Sequence, residues 1–135
     1  MFSAAVKIAW GTDRRPRIAV LALFALLSVA QAVCAQDQAQ RLVALLDYLG
    51  SDYKNAVQDG KIASEDEFHE MQEFAKRSLD LLVQLKKAEQ GDKAGIEQDL
   101  KSLANKVENK ADAKAVAALA QRTKEKLITA YKIVP

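Results

Sequence analysis

From about residue 38 onward, apolar residues return every three or four positions, the repeat of a helix face turned toward a core. Leu42, Leu45, Leu46, Leu49, Tyr53, Ala56 and Val57 form one such stripe and predict a first helix over about 38–58. Gly50 interrupts it, at a cost of about 1 kcal/mol relative to Ala, and predicts a kink or break. Asp59-Gly60 is a turn signal that ends the element. A second helix over about 64–89 begins with Ser64 and Glu67, a capping box in which hydroxyl and carboxylate each satisfy a free backbone N–H. Its stripe is broad (Phe68, Met71, Phe74, Ala75, Leu79, Leu81, Leu82, Leu85), and Gly91 is read as its left-handed stop.

A narrower seam of Ile96, Leu100, Leu103 and Val107 predicts a third helix over about 93–109, with Asp92 as N-cap. Val116, Leu119, Ala120, Thr123, Leu127 and Tyr131 predict a fourth over about 112–131. Connections this short force neighbouring helices antiparallel. The fold class is therefore all-α: an up-down-up-down four-helix bundle filling residues 36–135, with residues 132–135 reading as the start of a linker.

What precedes the bundle has a different pattern. Residues 1–17 carry Lys7, Arg14, Arg15 and Arg17 against the single acid Asp13, and an uncharged apolar run occupies 18–30. The small-residue stretch that follows offers cleavage after Ala32 or after Ala35, the latter favoured. Basic, apolar and small-residue parts in that order define a secretory signal peptide over residues 1–35 and predict a periplasmic domain. The alternative is an uncleaved segment anchored in the inner membrane, since the apolar run extended to Ala35 approaches a spanning length. A lipoprotein signal fits poorly because Val33 precedes Cys34, and a twin-arginine signal fits poorly because of Arg17.

The leader changes the charge. The 135-residue chain has net charge +2, but the leader holds four of its 20 bases and one of its 18 acids, leaving 16 against 17, net −1. No basic patch interleaved with aromatics remains, which argues against nucleic acid as a partner. The single Cys belongs to the leader, so the bundle has no disulfide, Cys-ligated zinc or C-x-x-C-H haem attachment and must be held by helix packing.

Catalytic chemistry finds little support. The bundle has no Ser/His/Asp set and no Gly-rich phosphate loop, and no enzymatic activity is expected. His69 falls opposite the second helix's stripe as a surface histidine. With one His, the Glu-x-x-His pair of a di-iron bundle cannot be built. The Lys-rich runs alternate with acids and read as solvated faces. The acids are more informative: Asp47, Asp52, Asp59, Glu65, Asp66, Glu67, Glu70 and Glu73 all fall where the first two helices meet. By wheel position Asp52 and Asp59 border the first stripe, Glu67 lies inside the second and Glu70 just beyond it. Asp47 and Glu73 point outward, and Tyr48 and Tyr53 stand beside the set. Asp52, Asp59, Glu67 and Glu70 are the candidate metal ligands, with Tyr48, Tyr53, Asp47 and Glu73 as an outer set. Such hard oxygen donors suit Fe(III), Mn(II) or Ca(II). Capping alone also accounts for Glu67, so a metal site and a solvated hairpin tip both stay open.

At these residues a resemblance emerges. Asp47-Tyr48 and Asp52-Tyr53, then Ala56-Val57-Gln58-Asp59-Gly60, then Glu67-Phe68-His69-Glu70-Met71-Gln72-Glu73-Phe74 form a pattern D-Y-x-x-x-D-Y-x-x-A-V-x-D-G followed by E-F-x-E-M-x-E-F. It resembles the N-terminal periplasmic region of bacterial iron permease (iron/lead transporter) proteins, which often also carry a cytochrome c domain. The resemblance covers about 30 residues, and Phe68 stands where the family often has Tyr. The family's membrane helices, its Arg-Glu-x-x-Glu motif and the haem attachment are missing from this sequence. The resemblance thus implies an exported accessory module of iron uptake, whether a separate subunit or a truncated permease. It would bind iron but no haem, or act as a docking domain for a permease or cytochrome c partner. Any contact with the membrane would come through that partner or through an uncleaved leader.

Overall fold

The structure, a computed structural model, describes residues 15–85 and 91–133, with side chains from Gln36 onward. The chain divides into two units, Met1–Ala32 and Val33–Pro135. Of the first, the backbone is helical from Arg15; the side chains of the expected leader, residues 1–35, and its cleavage sites lie outside the described residues.

Helix α1 (Arg15–Ala56) begins well before the expected residue 38. Between residues 17 and 49 no Gly or Pro interrupts a stretch rich in Ala and Leu, so nothing local halts the helix. Nor does it break at Gly50. That glycine sits where α1 meets α4 (Ala113–Tyr131), and a Cβ built on it would lie 3.7 Å from the Ala120 Cβ. Packing against α4 holds the glycine helical where propensity alone predicts a kink.

Helix α1 ends at Ala56, two residues early, because β1 (Val57–Gln58) pairs antiparallel with β2 (Lys61–Ile62), Val57 opposite Ile62 and Gln58 opposite Lys61. Asp59 and Gly60, at φ 50° and 72°, form the two-residue connection, and positive φ at both positions is what a type I′ hairpin turn requires. The Ala56 carbonyl, at the end of α1, accepts from the N–H groups of Ala63 (2.8 Å) and Ser64 (3.5 Å). The hairpin thereby ties the end of α1 to the start of α2 (Glu65–Gln84).

Helix α2 stops at Gln84 rather than near residue 89. Leu85 turns extended (φ −70°, ψ 137°) and buries its side chain, while its carbonyl accepts from the Lys93 ammonium at 2.6 Å. Residues 86–90 lie outside the described residues, and Gly91, at φ 117°, precedes α3 (Lys93–Glu108) instead of closing α2. Asp112 caps α4 through Lys114 N–H (3.0 Å) and Ala115 N–H (3.3 Å), whereas Asp92 at the N-cap of α3 makes no such bond. Ile133, expected in a linker, is buried: Lys132 adopts a left-handed conformation (φ 49°) and Ile133 N–H returns to the Ile128 carbonyl at 3.1 Å, a Schellman closure of α4.

The four helices close a ring. Gln38 bonds Gln84 and the Tyr48 ring meets that of Phe74 at a tilt across α1 and α2; Gln72 bonds Glu108 across α2 and α3. Asp99 holds Arg122 and Lys126 across α3 and α4, and Lys124 holds Asp47 across α4 and α1. Inside lie the expected stripes, with Leu42, Leu46, Leu49, Met71, Leu82, Leu100, Leu103 and Leu127 at 1% exposure or less. Ser78 and Thr123 are buried among them and donate to the carbonyls of Phe74 (2.8 Å) and Leu119 (2.7 Å), which removes the penalty of an unpaired hydroxyl.

The α1–α4 contact yields a size-dependent expectation. Gly50→Ala will raise stability by up to about 1 kcal/mol, since helix propensity improves and the added methyl finds an ordinary contact. Gly50→Leu will lower it by about 1–3 kcal/mol by overpacking the same contact. Urea midpoints of the two variants should move in opposite directions.

Candidate functional site

The acids that the sequence places between residues 47 and 73 differ in burial and in partners. Asp47 faces α4, where the Lys124 ammonium donates to it at 2.6 Å. Asp52 lies half-buried one turn before the end of α1, and Asp59 is exposed in the hairpin turn. Glu67 is half-buried in the first turn of α2, and Glu70 is exposed one turn further on. Glu73 sits on the surface against His69, 3.4 Å from its Nε2. Among the described residues, no three Asp, Glu or His side chains form a group fit to hold a metal.

The tyrosines also separate. Tyr48 is 53% exposed and tilts against Phe74, with ring centroids 5.7 Å apart. Tyr53, expected beside the acids, is fully buried, and its hydroxyl donates to the Ala111 carbonyl at 3.1 Å. That bond fastens the end of α1 to the α3–α4 turn. Burial, reinforced by the Asp112 carboxylate, pushes the Tyr53 phenol above its ordinary pKa, and burial does the same for Tyr131.

The capping box forms by half. Ser64 Oγ accepts from Glu67 N–H at 3.4 Å, but the Ser64 N–H goes to Ala56 and not to the Glu67 side chain. The hairpin has supplied that N–H with a backbone acceptor, which leaves the Glu67 carboxylate without a capping duty.

Pairing distinguishes this stretch from the rest of the surface. Asp52, Asp59, Glu65, Asp66, Glu67 and Glu70 make no ion pair and no side-chain hydrogen bond among the described residues. Most other described acids are engaged: Asp37 with Arg41, Glu97 with Lys101, and Asp99 with two cations from α4. Cations do approach the same end of the bundle. The Lys110 ammonium lies 5.7 Å from the Phe68 ring centre, and Lys54 and Lys114 line a cleft of about 300 Å³ with Asp59 and Asp112. Reading the lysine runs as solvated faces missed these neighbours, because only the fold brings the α3–α4 turn beside the hairpin. It also missed Asp99, although its place between Ile96 and Leu103 on the third seam, with Arg122 and Lys126 one turn apart on α4, was a readable signal.

A four-helix bundle with an acidic, largely unpaired end is thus the class of protein the geometry defines. The model of the iron permease-associated 4-helix bundle domain matches residues 30–134, and the chain belongs to that family. Membership confirms the bundle and ties the chain to iron uptake as a domain associated with permeases. Neither a curated protein nor a solved structure matches the chain. Among the described residues no helix is long and apolar enough to cross a membrane.

Two expectations follow. Ser64→Ala will cost about 1 kcal/mol by removing the cap, while Glu67→Gln will change stability by less than about 0.5 kcal/mol; thermal melts distinguish them. The raised Tyr53 pKa favours the protonated phenol in the folded state. Its contribution is therefore complete below the ordinary value of 10.0 and is lost as pH rises above that value toward the raised one. Tyr53→Phe will lose about 1 kcal/mol at pH 8 with the hydrogen bond, and the difference from wild type will shrink by pH 11 in urea titrations.

Proposed function

We propose that the chain is an exported, periplasmic accessory module of an iron-uptake system, and that its acidic end receives an iron cation in transit. The observation that carries this reading is the set of carboxylates without cation partners, Asp52, Asp59, Glu67 and Glu70, in a member of an iron permease-associated family. Carboxylate oxygens are hard donors suited to Fe(III) and acceptable to Fe(II). Ligands spread over a hairpin tip and two helix ends make a shallow site that exchanges its cargo readily, which suits delivery better than storage. Iron competes with protons for these groups, so affinity falls as pH is lowered.

A second reading, a docking domain for a permease or cytochrome partner that binds no metal, is favoured by the exposed Tyr48 ring on the α1–α2 face. Calorimetric titration of the chain with Fe(II) and Fe(III) separates the two. Saturable heat that disappears in the Asp52→Asn/Glu67→Gln double variant is the result expected of delivery. Absence of both heat and a metal-dependent melting shift would leave docking as the function.

A further inference from the structure

We infer that Asp59-Gly60 is a covalent modification site, where the aspartate converts to isoaspartate only while the hairpin is open and thereby makes the opening permanent. Asp59 is the one Asp in the chain that is followed by Gly. It is exposed and makes no ion pair or side-chain hydrogen bond among the described residues. The Gly60 N–H likewise has no acceptor among them, and no atom lies within 4 Å of the place where a Gly60 Cβ would stand. An unpaired carboxyl therefore adjoins an unhindered backbone nitrogen, in a turn that borders an open cleft of about 300 Å³.

The chemistry needs no second molecule but water. The Gly60 nitrogen attacks Cγ of the protonated Asp59 carboxyl. A new N–Cγ bond closes a succinimide ring, the Cγ–O bond breaks, and the amide proton and the hydroxyl leave together as water. Water then opens the ring. Addition at Cγ restores aspartate, whereas addition at the Asp59 backbone carbonyl carbon gives isoaspartate, whose main chain runs through Cβ and Cγ. Mass and charge return to their starting values, but the main chain through the turn is one carbon longer.

The closed turn withholds this reaction. Ring closure requires the Gly60 nitrogen to eclipse the Asp59 Cβ about the Cα–C bond. Asp59, at φ 50°, lies in the left-handed region, where ψ is about +30 to +60°. In an L-residue that ψ turns the following nitrogen away from Cβ, so it stands on the far side of the bond from Cγ. The pairs Val57–Ile62 and Gln58–Lys61 hold Asp59 in this conformation. Attack therefore waits until the hairpin opens and Asp59 leaves the left-handed region. With an extra carbon in the main chain, the two-residue connection that this pairing requires no longer exists, and refolding cannot restore it. The end of α1 then loses its tie to Ala63 and Ser64. Where reclosing is faster than ring closure, the rate follows the population of open hairpin.

Isoaspartate formation in the full chain, held in mildly acidic buffer with and without urea, tests this. It is read by peptide mapping with isoaspartate-specific methyl labelling. Urea should speed formation at Asp59 at least about tenfold, since the hairpin is then open in every molecule. Ile62→Ala weakens the pairing with Val57 and should speed it several-fold in buffer while leaving the urea rate unchanged. Circular dichroism checks that this variant is folded. The isoaspartate fraction of the wild type, separated by chromatography, should unfold at lower urea concentration than the unmodified chain. Equal rates in buffer and in urea overturn the inference, and so does a chain that forms no isoaspartate at Asp59 when unfolded.

Discussion

The two-residue turn at Asp59-Gly60 sets the arrangement on which the rest of the bundle depends. With only Asp59 and Gly60 between the paired strands, and the Ala56 carbonyl held by Ala63 and Ser64, α2 has little freedom to slide against α1. The cross-pairs agree on one register: Gln38 lies ten residues before Tyr48 on α1, and Gln84 ten residues after Phe74 on α2. The same register decides which acids border the α1–α2 groove and which face elsewhere. Only positive-φ conformations close so short a hairpin with the right twist, and Asp-Gly is among the residue pairs that adopt them at low cost.

Stability in the rest of the bundle is divided between apolar burial and a few polar ties. The leucine seams supply most of it, at roughly 1.5–3 kcal/mol for each large side chain fully buried. The polar ties contribute less energy and more specificity. Asp99 grips two cations of α4, the Tyr53 hydroxyl locates the α3–α4 turn, and Gly50 lets α1 and α4 approach. Each joins a different pair of elements, so together they define which helices are neighbours. This matters in a bundle that has no Cys from which to build a disulfide.

An acidic segment in sequence is not an acidic site in space. Asp47 and Asp52 are five residues apart on one helix, yet Asp47 is neutralised by Lys124 while Asp52, half-buried, makes no ion pair among the described residues. The hairpin gave Ser64 N–H a backbone partner and so released Glu67 from capping, an outcome its spacing from Ser64 had concealed. The geometry leaves a surface with carboxylates to offer. A cation or a cationic partner would meet it in the same way.

Periodicity alone determined the number and order of the bundle helices and nearly all of the core. Leu42, Leu46, Leu49, Met71, Leu82, Leu100, Leu103 and Leu127 were all legible because burial follows the 3.6-residue repeat. Asp59-Gly60 was legible because turn chemistry is local, whereas Asp92, read as a cap, makes no capping bond and Asp112, not read as one, does. Helix ends were less so: α1 begins before its stripe, α2 ends at a leucine drawn into the core, and Ile133 is buried beyond the last regular turn. Tertiary structure alone decided the ion pairs that join different helices. An ion pair needs two side chains within about 4 Å, and in Asp47–Lys124 those lie 77 residues apart in the chain. Local sequence specifies what each helix buries; only packing specifies what each helix faces.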